Sequence, residues 1–326
     1  MIPAPLAFRV VGGAENRREI VSYRKASLAY AHADPAVQPE LPAFLSAFAF
    51  PMAFKGHFEA TRSTAGYAGS VGVPSLNFDI DRADLDAAIR DARRLAAYLA
   101  DRYAADLVVS FSGSKGFHAS VPTAGFIEPA PDNPRIAKAL ACRLAGEVGI
   151  GIDEGVYDAV RLWRAANSTH RRTGLHKVHI DLDDLLYIEP AGVRRLAVEP
   201  VAYDPPDPPS PPPRLVADWN ATAKEVRRQA GERQDRRPTA NGDGNGKLNP
   251  MTRRLIADPT SLQVGERHGV LFSAAANLAE FKTLDDLIAG ILTGPGLDTG
   301  LPPAEVARQI RCGIEHARRR GEGGTA

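Results

Sequence analysis

Short apolar runs in the first two thirds of the chain predict β-strands. In each run, hydrophobic residues are either continuous or alternate with polar ones, as in strands that bury one or both faces. One pair of runs is separated by a tight GSKG turn, which predicts a hairpin. The predicted strands are 73–81, 106–112, 117–122 and 175–181.

Hydrophobic positions at steps of three and four predict two amphipathic helices between these strands. The first covers 84–103, where Leu85, Ile89 and Leu95 fall on one face. The second covers 133–148, with apolar residues at steps of four. Strands interleaved with helices predict a mixed α/β, or α+β, domain.

The composition changes beyond this region. Residues 204–213 (DPPDPPSPPP) are expected to be extended, 219–236 to form a short charged helix and 241–247 (NGDGNGK) to be flexible. From 249 onward the pattern is helical, with apolar periodicity at 270–281 and 284–292 and a proline-marked helix start at 302–303. The predicted domains are an α/β domain (1–203), a linker (204–248) and a small all-α domain (249–326).

Composition narrows the class of protein. No apolar run approaches the ~20 residues that span a bilayer, and no signal-peptide architecture is visible, so a cytoplasmic protein without membrane contact is expected. Two cysteines exclude a disulfide framework and a multi-cysteine zinc site. A net charge of +1 means that any nucleic-acid contact must use local positive charge.

Two aspartates at the end of the 73–81 strand are the first candidate site. Asp79 and Asp81 are two residues apart, so their side chains point to the same face. Adjacent carboxylates repel each other, and hard oxygen ligands suit Mg²⁺ or Mn²⁺. A metal site is one interpretation; the alternative is that Asp81 caps the following helix.

The hairpin segment 111–118 (FSGSKGFH) is the second candidate site. Its glycines allow backbone amides to approach a phosphate closely. A triphosphate is bound by a mixture of hydroxyl, cationic and imidazole donors, which this segment provides. An ordinary polar hairpin with an exposed lysine is the alternative. The candidate residues are Ser112, Ser114, Lys115 and His118.

The third candidate site is 152–174 (IDEGVYDAVRLWRAANSTHRRTG). It places a carboxylate, Asp153, ahead of a cluster of cations and a histidine. One interpretation is that a metal-bound polyphosphate bridges these groups of opposite charge. The alternative is that the arginines are solvated surface charges and the histidine is structural. The cationic candidates are Arg161, Arg164, His170, Arg171 and Arg172.

Taken in order, FDID, SGSKGFH and ID…RLWR…NSTHRRTG resemble the three motifs of the archaeo-eukaryotic primase superfamily. The match covers 73–181. The interval from Asp153 to His170 is one residue shorter than in archaeal primases, which leaves the register of Asp158 and Arg161 open. The segments GERHGVLFSAAANLAEF and PPAEVARQIRCGIEHARRR look like the helical C-terminal module of phage and plasmid primases, the alternative being a helical bundle of unknown role.

The resemblance implies a catalytic domain with an RRM-like sheet flanked by helices, and it implies roles for nine residues. Asp79, Asp81 and Asp153 would be catalytic and would hold two Mg²⁺ or Mn²⁺ ions, with no zinc. The residues expected to bind the incoming triphosphate are Ser112, Ser114, Lys115, His118, Arg164 and His170.

The function expected from the resemblance is that of a DNA primase or primase-polymerase, a nucleotidyltransferase of DNA replication. Its partners would be a single-stranded DNA template and NTPs or dNTPs. No GxxxxGK[ST] phosphate loop is present, so a replicative helicase would have to be another chain. The alternatives are a gap-filling repair polymerase of the same superfamily, an inactive replication-initiator DNA-binding protein and a metal-dependent phosphohydrolase of unrelated fold.

Overall fold

The computed structural model describes residues 5–13, 16–123, 125–207, 210–235, 248–263 and 265–322. The chain divides into two compact units, Met1–Arg237 and Pro238–Ala326. Among the described residues, no helix has the length and apolar character needed to cross a membrane.

A four-stranded antiparallel sheet occupies one side of the first unit. Its strand order is β2-β1-β3-β7. Phe8, Phe50 and Phe54 are buried beside it, and the last two rings stack with centroids 4.0 Å apart. The strands are β1 (Leu6–Val11), β2 (Glu19–Ser22), β3 (Ala43–Ser46) and β7 (Leu162–Arg164). Two helices belong to this part of the chain, α1 (Tyr23–Ala31) and α2 (Met52–Thr61).

A second antiparallel sheet, in the order β4-β6-β5-β8, contains the predicted strands. The side chains of Leu76, Phe78 and Ile80 are buried in the core, because alternate residues of a strand point to opposite faces. The strands are β4 (Ser75–Asp81), β5 (Val108–Phe111), β6 (Gly116–Pro122) and β8 (Val178–His179). The predicted helices are α3 (Leu85–Tyr103) and α4 (Asn133–Glu147).

The first unit is therefore α+β, but its sheet arrangement differs from the single RRM-like sheet that was expected. β1, β2 and β3 precede the recognisable motifs, and β7 is only three residues long, which is too short for a hydrophobic pattern. The strand predicted at 175–181 is reduced to β8, because the Lys177 backbone turns away to donate to the carbonyl of Ser168 (2.9 Å). Two short helices follow it, α5 (Leu182–Tyr187) and α6 (Pro190–Leu196).

Helix α7 (Pro213–Asp235) belongs to the first unit, although the sequence placed this segment in the linker. Leu215 and Trp219 are buried in the same core as α3 and α4. The carboxylate of Asp218 accepts hydrogen bonds from Arg102 (2.8 and 3.0 Å) and from the hydroxyl of Tyr103 (2.9 Å). Apolar side chains and the carboxylate of Asp218 thus together pack α7 against α3 and α4. The predicted flexible stretch 241–247 lies outside the described residues.

The described part of the second unit is helical, as the apolar periodicity predicted. Helix α10 is longer than the predicted 284–292 and continues through Pro295. Gly313 allows α11 to approach α9 closely, since a Cβ there would lie 2.4 Å from the carbonyl oxygen of Phe272. The helices are α8 (Pro250–Ala257), α9 (Arg267–Glu280), α10 (Asp285–Asp298) and α11 (Pro303–Glu322).

Candidate active site

The three predicted acids lie next to one another at the end of β4. Asp79 and Asp81 point away from the core, on the face opposite Phe78 and Ile80. Asp153 immediately precedes a short 3-10 helix, Glu154–Tyr157, and its backbone N–H donates to the carbonyl oxygen of Asp79 (2.9 Å). A residue more than seventy positions away is thereby fixed beside the β4 pair.

The helix-cap alternative for Asp81 is wrong. The N-cap of α3 is Asp84, whose carboxylate accepts a hydrogen bond from the backbone N–H of Ala87 (2.8 Å). Asp81 is the last residue of β4, and its Oδ2 lies 3.5 Å from the ammonium of Lys115. Its carboxylate is therefore available to a ligand in the cleft.

Asp79 is partly buried and lies near two other carboxylates. Burial, together with the charges of Asp153 and Asp81, raises the pKa of Asp79 to about 6, while the positive charges of Lys177 and Arg161 oppose the rise. Its Oδ1 lies 3.7 Å from His118 Nε2. A carboxyl group with such a pKa is one that a bound cation would stabilise in its ionised form.

The carboxylates suit a divalent cation in chemistry, but they are not gathered around a common point. Among the described residues, no group of three histidine, cysteine or acidic side chains is arranged to hold a metal ion. Asp153 instead accepts the Gly155 N–H (2.8 Å) and lies 3.6 Å from Arg161 Nη2. The metal role of the three acids remains a prediction. It is supported by the chemistry of their carboxylate oxygens, whose mutual repulsion a bound cation would relieve.

The GSKG hairpin joins β5 to β6 and faces these acids. Its two glycines are required by close packing: a Cβ at Gly113, where φ is +86°, would lie 2.7 Å from the carbonyl oxygen of Leu175. A Cβ at Gly116 would lie 2.6 Å from that of Ile80. His118 stands directly opposite Asp79 in the β4–β6 register. The hairpin thus brings its polar side chains to the carboxylate end of β4.

The opposite wall of the cleft comes from the other sheet, through β7 and the segment that follows. The Arg164 guanidinium lies over the Phe44 ring (4.9 Å to the centroid) and donates to the carbonyl of Thr169 (2.9 Å). Burial lowers the pKa of Arg164, an effect that Asp79 opposes. The hydroxyl of Thr173 donates to the carbonyl of Gly113 (2.5 Å), which ties the THRRTG segment to the hairpin.

Both histidines of the predicted site are held in the neutral form. Burial, followed by the positive charges of Lys177 and Arg164, lowers the pKa of His118 well below its ordinary value. Burial, Arg164 and Arg172 lower the pKa of His170, against the influence of Asp81. A neutral imidazole still has one N–H to donate, so each ring can act as a hydrogen-bond donor to a phosphate.

These elements enclose a cleft of about 700 Å³ between the two sheets. Every predicted site residue except Asp153 lines it, and Asp153 is joined to its edge through Asp79. Carboxylates of β4 and guanidinium groups of β7 and the following segment line the same cleft, and Lys115 lies 3.5 Å from Asp81; a metal-bound polyphosphate would use this combination of charges. The lining residues from the predicted set are Asp79, Asp81, Ser112, Ser114, Lys115, His118, Arg164 and His170.

No family model matches the chain, and no curated protein matches it. Among solved structures, a crystal structure of primase RepB' aligns with 98% of this chain and 94% of its own length, at 13% sequence identity and a TM-score of 0.37. A TM-score this low does not establish a shared fold.

The structure shows where the two residues lie whose register the short interval before His170 left open. Arg161 lines the cleft and faces Asp153. Asp158 ends the 3-10 helix, and its side chain accepts the backbone N–H of Val160 (3.1 Å). Arg161 therefore lies among the candidate residues of the cleft, whereas the side chain of Asp158 is used in a local hydrogen bond.

Three further residues of the site were not identified from the sequence. The Trp163 ring stacks on His118, with centroids 4.0 Å apart, and Phe44 supports Arg164. Lys177 is buried behind them, 5.1 Å from the centroid of Trp163. Trp163 lies within the RLWR motif and could have been singled out there, but no local pattern marks Phe44 or Lys177.

Proposed function

We propose that this chain is a template-directed nucleotidyltransferase, a DNA primase or primase-polymerase that synthesises primers on single-stranded DNA from NTPs or dNTPs. The observation that carries the proposal is the cleft itself. Asp79 and Asp81 line it together with hydroxyl, imidazole and guanidinium groups, and the backbone of Asp153 is hydrogen-bonded to Asp79 beside it. The ordered motifs that supply these groups resemble those of archaeo-eukaryotic primases, and membership of that superfamily is part of the proposal.

Each wall of the cleft has a separate part in the reaction. Asp79, Asp81 and Asp153 would hold two Mg²⁺ or Mn²⁺ ions, which when bound would neutralise phosphate charge and favour ionisation of the attacking 3′-hydroxyl. Lys115 and the hairpin hydroxyls would bind the triphosphate as it enters. Arg164 would add positive charge where negative charge develops during phosphoryl transfer. His118 and His170, being neutral, would each donate one hydrogen bond.

The rival functions make different use of the same groups. An inactive initiator protein that binds DNA has no need for clustered carboxylates facing DNA phosphates, since like charges repel. A phosphohydrolase of unrelated fold would not require the hairpin and the THRRTG segment to meet, as they do through Thr173 and Gly113. A gap-filling polymerase would use the same cleft and would differ in requiring a primer end.

The decisive experiment is synthesis on unprimed single-stranded DNA. The full chain is incubated with labelled NTPs or dNTPs and Mg²⁺ or Mn²⁺, and the products are sized. New chains that depend on both metal and template support the proposal. Products formed only when a primer is annealed would favour the repair polymerase, and no incorporation on either template would exclude a polymerase.

Variants of the three acids are the matched test of the site. We expect Asp79→Asn, Asp81→Asn and Asp153→Asn each to reduce incorporation by about a hundred- to a thousandfold, the order seen when transition-state charge stabilisation is lost. Asp106→Asn is the control, because Asp106 is an exposed aspartate just before β5. Circular dichroism and melting temperature show whether each variant folds. Near-wild-type synthesis by any of the three would remove that residue from the site.

A further inference from the structure

A buried lysine connects the two sheets behind the cleft. Lys177 immediately precedes β8, and its side chain is 7% exposed. Its Nζ donates to the carbonyl oxygen of Arg164 in β7 (3.0 Å) and lies 5.1 Å from the Trp163 centroid. The side chain therefore extends from one sheet to the strand of the other sheet that carries the cationic wall.

This ammonium group is poorly satisfied for its degree of burial. Among the described residues, no carboxylate lies within ion-pair distance of Lys177. Its ammonium group has three N–H donors, and the acceptor seen for them among these residues is the Arg164 carbonyl. Burial and the charge of Arg164 lower its pKa to about 7, against the opposing influence of Asp79. A buried charge that has one acceptor and one aromatic ring but no counter-ion destabilises a fold, whereas an apolar side chain of similar length would bridge the same gap without that penalty.

The groups that Lys177 touches are the ones expected to meet the substrate. Trp163, beneath the ammonium, stacks on His118, whose Nε2 points towards Asp79. The main chain of Arg164 carries the guanidinium that lies over Phe44 and lines the cleft. A shift of β7 by a fraction of an ångström would move both the guanidinium and the Trp163–His118 stack.

We propose that Lys177 is a positioning residue of the nucleotide site, which holds β7 so that Arg164 and the Trp163–His118 stack face an incoming nucleoside triphosphate. The proposal rests on the proposed function. The triphosphate is the missing counter-charge: its negative charge in the cleft compensates the buried ammonium, so that the penalty present in the free protein is relieved on binding. Lys177 acts through its neighbours and does not itself line the cleft.

The test compares Lys177→Met, Lys177→Arg and the control Lys25→Met, in which an exposed lysine is replaced. The parent chain and all three variants also carry Trp219→Phe. Trp163 is then the one tryptophan left of the two in the chain, and its fluorescence reports on the site. Binding of MgATP, MgdATP and inorganic tripolyphosphate is titrated through that fluorescence. Steady-state incorporation and melting temperature are measured in parallel.

We expect Lys177→Met to melt at or above the temperature of the parent chain, because a buried charge is removed, and to bind all three probes about tenfold more weakly. The KM for nucleotide should rise more than kcat falls, and Trp163 emission should change even without ligand. Lys177→Arg, which keeps the charge, should recover part of the affinity. Lys25→Met should match the parent chain in every measurement.

Two results would overturn the inference alone. In the first, Lys177→Met melts several degrees lower but binds the probes like the parent chain, which identifies the lysine as a structural support. In the second, it matches the parent chain in stability, fluorescence and binding. A parent chain that binds none of the probes would instead overturn the proposed function, and this inference with it.

Discussion

At the scale of single residues, the site depends on groups whose protonation is shifted by burial and by one another. Asp79 holds its proton more tightly than an ordinary aspartate, and His118 holds its proton less tightly than an ordinary histidine. A carboxyl with a raised pKa and an imidazole with a lowered one, within 3.7 Å of each other, are typical of a functional site. Both shifts have the same main cause, which is burial at the floor of the cleft.

The raised pKa of Asp79 predicts how stability depends on pH in the absence of metal. The stability that its proton contributes is fully present below the ordinary pKa of 3.8 and is lost as the pH rises through about 6. A pKa difference of this size corresponds to at most about 3 kcal/mol. We expect the chelator-treated protein to lose melting temperature between pH 5 and 7, and Asp79→Asn to lose less.

Thermal melts of both proteins across this pH range, with and without Mg²⁺, provide the measurement. At pH 7.5, Mg²⁺ should raise the melting temperature of the wild type more than that of Asp79→Asn, since a cation bound to the carboxylates relieves their repulsion. Parallel pH curves for the two proteins would show that Asp79 is not the group responsible. Equal Mg²⁺ effects would argue against a metal at Asp79.

The two histidines predict a loss of nucleotide use without a loss of fold. A hydrogen bond to a charged group contributes about 1.5–3 kcal/mol, so His118→Ala and His170→Ala should each lower kcat/KM for nucleotide by about ten- to hundredfold. His57 of α2, which is half-buried and does not line the cleft, provides the control as His57→Ala. Unchanged efficiency in both site variants would make these histidines structural.

At the scale of elements, helix α7 is the part of the first unit that the sequence assigned wrongly. Its core residue Trp219 is 6% exposed, and Asp218 is bonded to two residues of α3. Removing α7 would expose the apolar faces of α3 and α4. A chain ending at 203 therefore lacks part of its own core, whereas one ending at 237 retains it.

We expect residues 1–237 to fold and to extend an annealed primer, and residues 1–203 to aggregate or unfold. Within 1–237, Trp219→Ala should lower the free energy of unfolding by about 3–5 kcal/mol, the range for truncating a buried aromatic side chain. Leu186→Ala, at a site that is 51% exposed, should change it by less than about 1 kcal/mol. Urea denaturation measures both, and a fully active 1–203 chain would contradict the assignment.

At the scale of the whole molecule, the second unit has a core of its own, so its role can be tested by removal. Several cationic side chains of this unit that could contact phosphates are paired within it: Arg308 and His268 with Glu305, Arg318 with Asp285, and Arg254 with Ser261. Arg253 and Arg311 are exposed, and no partner is seen for either among the described residues. These two arginines are therefore the better candidates for contacts with DNA or nucleotide phosphates.

We expect residues 1–237 to extend annealed primers as the full chain does but to start new chains at least tenfold less often. Starting a chain requires two nucleotides and a template to be held together without a duplex, and a second unit can offset that loss of entropy. In the full chain, Arg253→Gln with Arg311→Gln should reduce initiation, whereas Arg308→Gln should not. Equal initiation by 1–237 and the full chain would rule out an initiation role.

The sequence by itself determined most elements of the second sheet, the helical character of the second unit and most of the polar residues that line the cleft. It could do so because strand and helix periodicities are local, and because acids, glycines and cations in a fixed order indicate their chemistry before they are brought together. Asp79, Asp81, Ser112 and His170 were all identified in this way.

Only the tertiary structure decided what depends on contacts between distant segments. β7 is too short to show a hydrophobic period, and Phe44 is an ordinary strand residue. The sequence of α7 resembles a charged linker, and only the structure shows that Trp219 is buried in the core. Lys177 is the clearest case. Nothing near it in the chain distinguishes it from a surface lysine, and the role proposed for it rests on the Arg164 carbonyl and the Trp163 ring, which contact it from the other sheet.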